Sequence, residues 1–225
     1  MTDPLPTLAI IGGTGALGGG LAQRWAHAGY PVVIGSRSAE KAGDVAAGLT
    51  TGGGAPPVRG ADNKSAAQLG DVVVITVPFS NHTAILEEIR TGVEGKLVID
   101  ATVPLVPPKV GTVQLPDAGS AAQITHEVLG EHSDVVSAFH HIAADKLHQG
   151  GAIDCDVLVC GNKKAARQSV ITLIEALGMR GLHAGPVANS AAIEAMTSVL
   201  ITINRIYKVP GAGICVTGDL VPPER

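Results

Sequence analysis

Glycines at Gly13, Gly15 and Gly18, in the run Gly13-Thr14-Gly15-Ala16-Leu17-Gly18, have the spacing of a phosphate-binding turn. Such a turn offers backbone N–H groups and the positive end of a helix to a pyrophosphate. Its glycines allow the sharp turn, the approach of the ligand and close helix–strand packing. Glycine makes up 29 of the 225 residues, so the spacing acquires meaning only from its surroundings. Before it lies the apolar run Thr7 to Gly12. After it, Ala16 to His27 places Leu17, Leu21 and Trp25 at helical intervals and leads to a second apolar run, Pro31 to Gly35. Strand, turn, helix and strand in this order form a dinucleotide-binding unit.

The end of the second run selects the dinucleotide. An NAD site places an Asp or Glu there to hold the ribose 2′-hydroxyl. Here the residues are Gly35-Ser36-Arg37-Ser38, with no carboxylate among them. Arg37 can fork onto a 2′-phosphate, Ser36 adds a hydroxyl, and Lys41 returns one helical turn later as a second charge. NADP(H) is the expected cofactor.

No Ser-His-Asp array and no metal-ligand spacing stands out, which leaves hydride transfer as the chemistry of a nicotinamide site. In a parallel sheet, ligands sit beyond the carboxyl ends of the strands. That rule selects Val77-Pro78-Phe79, Val103-Pro104 and His140-His141-Ile142 as lining candidates. If a strand runs through His140 and His141, their side chains point to opposite faces and only one enters the pocket. The bland alternative has one imidazole bonded in the core and the other exposed. Asn63-Lys-Ser and Asn81-His-Thr have the form of glycosylation acceptors, which carry no meaning in a cytoplasmic protein.

The elements that must hold these residues follow from pattern. Asp71 to Val77 is nearly all β-branched, as expected of a strand buried on both faces. Leu97 to Asp100 and Asp134 to Phe139 continue the series, with helices at Ser38 to Leu49, Ile85 to Arg90 and Ser120 to Leu129 between. The fold expected is α/β, a Rossmann-type doubly wound parallel sheet over residues 1–150. A small C-terminal α/β domain over 151–225 contains one more βαβ unit and a long helix, Asn189 to Tyr207. A glycine-rich loop at 52–57 and a proline-rich segment from Thr102 to Gly119 interrupt the pattern.

Composition narrows the partners. A net charge of −4 without a dense Lys/Arg run gives no footprint for nucleic acid, and 2% aromatic content supplies no stacking platform. No stretch approaches the roughly 20 apolar residues of a membrane span, and no basic leader precedes the first strand. Cys155, Cys160 and Cys215 lack metal or disulfide spacing, consistent with a reducing cytoplasm.

Ile11-Gly-Gly-Thr-Gly-Ala-Leu-Gly-Gly-Gly-Leu-Ala and Ile34-Gly-Ser-Arg-Ser-Ala-Glu-Lys-Ala resemble the opening of the F420-dependent NADP reductases. So do Val136-Ser-Ala-Phe-His-His-Ile-Ala and Ala184-Gly-Pro-Val-Ala-Asn-Ser further along. The resemblance implies hydride exchange between the nicotinamide of NADP(H) and the deazaflavin coenzyme F420, in a homodimer of Rossmann subunits. It places Thr14 to Leu17, Ser36, Arg37 and Lys41 on NADP. Val77, Phe79, Val103 and Ala144 fall near the nicotinamide. His140 and Ile142 flank the deazaflavin, the first as a hydrogen-bonding or positioning group and the second as a packing wall. The chain departs from the family at Ala143, often proline, and at Ala191, often bulky or basic. An NADP-dependent reductase of a flavin, small carbonyl or imine, and a non-catalytic NADP sensor, remain as alternatives.

Overall fold

A computed structural model of the chain describes residues 4–51 and 56–221. The first three residues, most of the glycine-rich loop expected at 52–57, and the last four residues lie outside the described part.

Eight strands form one sheet, in the order β3-β2-β1-β4-β5-β6-β7-β8. The apolar runs supply β1 (Leu8–Ile11), β2 (Val32–Ser36), β4 (Val72–Ile75) and β5 (Leu97–Asp100), while β3 is Arg59–Asp62 and β6 is Asp134–Ser137. These six pair in parallel. Between them run α1 (Ala16–His27), α2 (Ala39–Gly48), α3 (Asn63–Leu69), α4 (Phe79–Ile89) and α5 (Ala121–Leu129). The order reverses beside β1, which has β2 on one side and β4 on the other. A crevice for ligands opens at that switch, beyond the carboxyl ends of the strands.

Strand alternation divides the core into two layers. Leu8 and Ile10 join Leu21 and Trp25 of α1 on one face, and Ala9 and Ile11 join Ala66, Leu86 and Ile89 on the other. Because both faces are covered, β1 and β4 are apolar at every position, and β2 is so until it ends at Gly35 and Ser36.

Past α6 (Ala144–His148), β7 (Asp156–Gly161), α7 (Lys164–Glu175) and β8 (Arg180–His183) form a parallel βαβ unit. This unit extends the same sheet, because β7 runs antiparallel to β6 with Ser137 opposite Cys160. The Asp156 carboxylate, at the start of β7, is forked by Arg180 at 2.7 and 2.6 Å and accepts the Val216 N–H at 2.6 Å. The C-terminal segment is thereby tied along the strand. The last helix, α8 (Ser190–Tyr207), lies against α5 and receives the long loop after β5, where the Thr202 hydroxyl donates to Gly111 O at 2.9 Å.

Candidate cofactor and acceptor site

The glycine turn sits at the carboxyl end of β1 and opens α1. Gly15 is the N-cap, its own N–H donating to Gly12 O at 2.9 Å, and no side chain among the described residues caps the terminus, so the amides of the first turn of α1 are left without a side-chain acceptor. A Cβ on Gly18 would collide with Thr76 Oγ1 and lie 2.9 Å from Gly13 Cα, so this glycine is required by packing. Gly15 differs. Within 4 Å its Cβ would meet only Gly12 O, at 3.3 Å, and the residue is exposed. Packing within the protein does not demand a glycine there, and its absence of a side chain leaves the turn open to a ligand.

Ser36 ends β2 and is nearly buried, its Oγ 3.4 Å from Ser38 N. Ser38 caps α2 by accepting the Lys41 N–H at 3.2 Å, which fixes the turn carrying Arg37 and Lys41. Both cations are exposed, and neither is ion-paired to a carboxylate among the described residues. Local sequence did not reveal that Asp62 stands opposite Ser36 on the adjacent strand. Its oxygens are spent on capping α3, accepting Ser65 N–H at 2.9 Å and Ser65 hydroxyl at 2.7 Å. These bonds hold the Asp62 carboxyl below its ordinary pKa.

At the neighbouring strand ends, Val77 and Phe79 follow β4, with Phe79 the first residue of α4, and Val103 follows β5. Behind them is a buried polar cluster that sequence reading missed. Asp100 Oδ2 lies 2.8 Å from His82 Nε2 and accepts the Thr125 hydroxyl at 2.5 Å, while Oδ1 accepts the Thr102 N–H at 2.8 Å. Burial pushes the Asp100 carboxyl up, but the charge and hydrogen bond of His82, with the bonds from Thr125 and Thr102, outweigh it and hold it low.

The strand expected over Asp134 to Phe139 stops at Ser137, short of His140, and Phe139 turns the chain with φ +71°. Strand alternation therefore does not separate His140 from His141, and both are buried. Their partners separate them instead. His141 Nε2 donates to Ile193 O at 2.6 Å and belongs to the frame. Neither ring nitrogen of His140 has a well-formed hydrogen bond among the described residues, the Asp100 main chain being its nearest polar neighbour in effect. Burial, aided by His141, pushes its pKa down to about 4. The neutral ring is thus a hydrogen-bonding group left incompletely satisfied, close in sequence to Ile142 and the first residue of α6, Ala144.

This segment is fastened to α1. Arg24 donates to the carbonyls of Leu147 and Lys146 at 2.9 Å each and of Gly151 at 3.0 Å, and His148 Nε2 donates to Ala16 O at 2.8 Å. Trp25 meets Phe139 edge to face, with centroids 5.6 Å apart. Gly20 admits the contact, since its Cβ would stand 2.6 Å from Leu147 Cβ. On the other side, the buried Glu194 of α8 accepts the Ala121 and Ala122 N–H groups of α5 at 2.6 and 3.0 Å. Burial raises its pKa to about 8 against those bonds.

A doubly wound sheet with an uncapped glycine turn at its switch point defines a Rossmann-class dinucleotide-binding protein. Residues 7–104 match the family described as NADP oxidoreductase coenzyme F420-dependent. A relative from Methanocaldococcus jannaschii, named F420-dependent NADP reductase, is 37% identical over 93% of this chain and 97% of its own length. One of the same name from Methanothermobacter thermautotrophicus is 40% identical over 93% and 94%. The chain belongs to the F420-dependent NADP reductase family. The crystal structure of a putative F420-dependent NADP reductase from Arthrobacter sp. FB24 shares the fold, with TM-score 0.77 and 22% identity over 95% of this chain and all of that one. No helix among the described residues is long and apolar enough to cross a membrane.

Proposed function

We propose that this chain is an oxidoreductase that moves a hydride reversibly between NADP(H) and coenzyme F420. The observation that carries the assignment is likeness along nearly the full length to reductases named for those two compounds. The bound nicotinamide and deazaflavin supply the redox chemistry; the chain's own residues bind, orient and exclude water.

The turn Gly13 to Gly18 takes the pyrophosphate, the Gly13 and Gly15 N–H groups bracing it from within and the amides at the start of α1 facing the ligand, and Ser36, Arg37 and Lys41 take the 2′-phosphate. Val77, Phe79, Val103 and Ala144 bound the nicotinamide end. His140 and Ile142 flank the deazaflavin. With a pKa near 4, His140 meets it as a neutral hydrogen-bonding group and not as a proton-loaded acid. Support for this role comes from its ring nitrogens, neither of which has a well-formed hydrogen bond among the described residues.

Residues 1–150 act as the NADP-binding domain, and 151–225 complete the acceptor side. The protein works as a cytoplasmic homodimer. Its contact is the outer stripe of α8, where Met196, Val199, Ile206 and Tyr207 are 40, 42, 66 and 72% exposed. Sedimentation of the purified chain as a monomer at working concentration overturns the dimer.

The deciding experiment mixes protein, NADPH and F420 and follows the deazaflavin's visible absorbance. Bleaching is expected. Undiminished absorbance, with reduction of a flavin, carbonyl or imine instead, reassigns the acceptor; NADPH binding without oxidation by any acceptor favours a sensor.

A further inference from the structure

Asp100 ends β5 and is completely buried, and its two oxygens join three separate pieces of chain. Oδ1 holds the main chain at Thr102, one residue before Val103, and Oδ2 holds His82 of α4 and Thr125 of α5. His82 lies one helical turn beyond Phe79, and their rings are stacked, with centroids 6.1 Å apart and planes at 26°. One carboxylate therefore fixes the supports of both Phe79 and Val103.

Stability does not account for such an arrangement. A buried carboxylate is costly to desolvate, and a well-packed apolar cluster of the same volume is often as stable or more so. The cluster is also incompletely satisfied, because His82 Nδ1 and Thr102 Oγ1 are buried without partners. What a carboxylate offers over a hydrocarbon is direction. Its short bonds define where α4 and the loop after β5 sit relative to each other.

Resting on the NADP assignment above, we propose that Asp100 and His82 are positioning residues for the nicotinamide end of the cofactor. They set the spacing of the walls made by Phe79 and Val103, and neither touches the adenosine half.

The test is calorimetric titration of the full chain and its variants with NADPH and with 2′,5′-ADP, which carries the adenosine and 2′-phosphate but no nicotinamide. In Asp100→Asn, NADPH affinity is expected to fall about tenfold or more while 2′,5′-ADP affinity stays within about twofold. His82→Gln, which keeps an N–H for Asp100, is expected to recover most of the NADPH affinity that His82→Leu loses. Should Asp100→Asn not fold, Thr125→Val removes one donor at constant shape and is expected to show the same split, about threefold. Equal losses for both ligands, or none, in a folded variant overturn the inference while leaving the NADP assignment standing. A wild-type chain that binds neither ligand overturns both.

Discussion

Replacing Gly15 with alanine should separate folding from binding in this chain. The residue sits at φ −83° and ψ 169°, extended backbone open to any side chain. The new methyl has one close neighbour, Gly12 O at 3.3 Å. Lowered entropy of the unfolded chain stabilises by about 0.4–1 kcal/mol, and the tight contact offsets part of it. The net change should stay within about 1 kcal/mol, or about 2–4 °C in Tm for a chain of this size. Binding should suffer much more. The methyl stands before an uncapped helix terminus, where each charge-assisted N–H to phosphate bond is worth about 1.5–3 kcal/mol. Losing one weakens NADPH by about tenfold to a hundredfold. Gly18→Ala is the contrasting case, because its methyl strikes Thr76 Oγ1 and the Gly13 backbone and should destabilise by about 1–3 kcal/mol. Thermal unfolding and NADPH fluorescence titration on the two variants measure both quantities. A Gly15→Ala protein that binds NADPH as wild type does would refute the assignment of this turn to the pyrophosphate.

Arg37→Ala should weaken NADPH at least about tenfold while barely altering NADH, since only NADPH carries the 2′-phosphate that a guanidinium would hold; equal losses in paired titrations remove Arg37 from that role. His140, with its pKa near 4, is neutral throughout the physiological range. Profiles of kcat/KM from pH 6 to 8 should therefore show no limb belonging to it, and a limb near pH 6.5 that disappears in His140→Gln contradicts this. Glu194 has the opposite sign. Its folded pKa of about 8 exceeds the 4.5 of a free glutamate side chain, so the folded chain holds this proton more tightly than the unfolded chain. Its contribution to stability is largest at low pH and is lost as pH rises from about 4.5 toward 8. Denaturant titrations across that interval should show a flatter pH dependence for Glu194→Gln than for wild type, and parallel curves would argue against the shift.

The strands were legible because a sheet covered on both faces forces unbroken apolar runs such as Val72 to Ile75. The glycine turn was legible because its chemistry is local, spanning six consecutive residues. What escaped depends on distant parts of the chain. The helices Asn63–Leu69 and Ala144–His148 are too short for a periodic signal, and their ends are held by Asp62 and by Arg24. His82 read only as the middle of a sequon-like triplet, because its partners Asp100 and Thr125 lie 18 and 43 residues away. The positive φ at Phe139 broke the alternation on which the two histidines were weighed; a large aromatic residue gives no warning of it, and packing against Trp25 accompanies it.

The fastening of α6 to α1 bears on how this protein can change. Arg24 grips carbonyl oxygens, which every amino acid provides, at Lys146, Leu147 and Gly151. Side chains at Ala143 and Ala144 take no part in that grip, so substitution at these two positions, on the acceptor side in the proposal above, is expected to leave the anchorage to α1 in place. On that proposal, acceptor preference is interchangeable lettering on a fixed mount, a natural starting point for directed evolution toward other hydride acceptors.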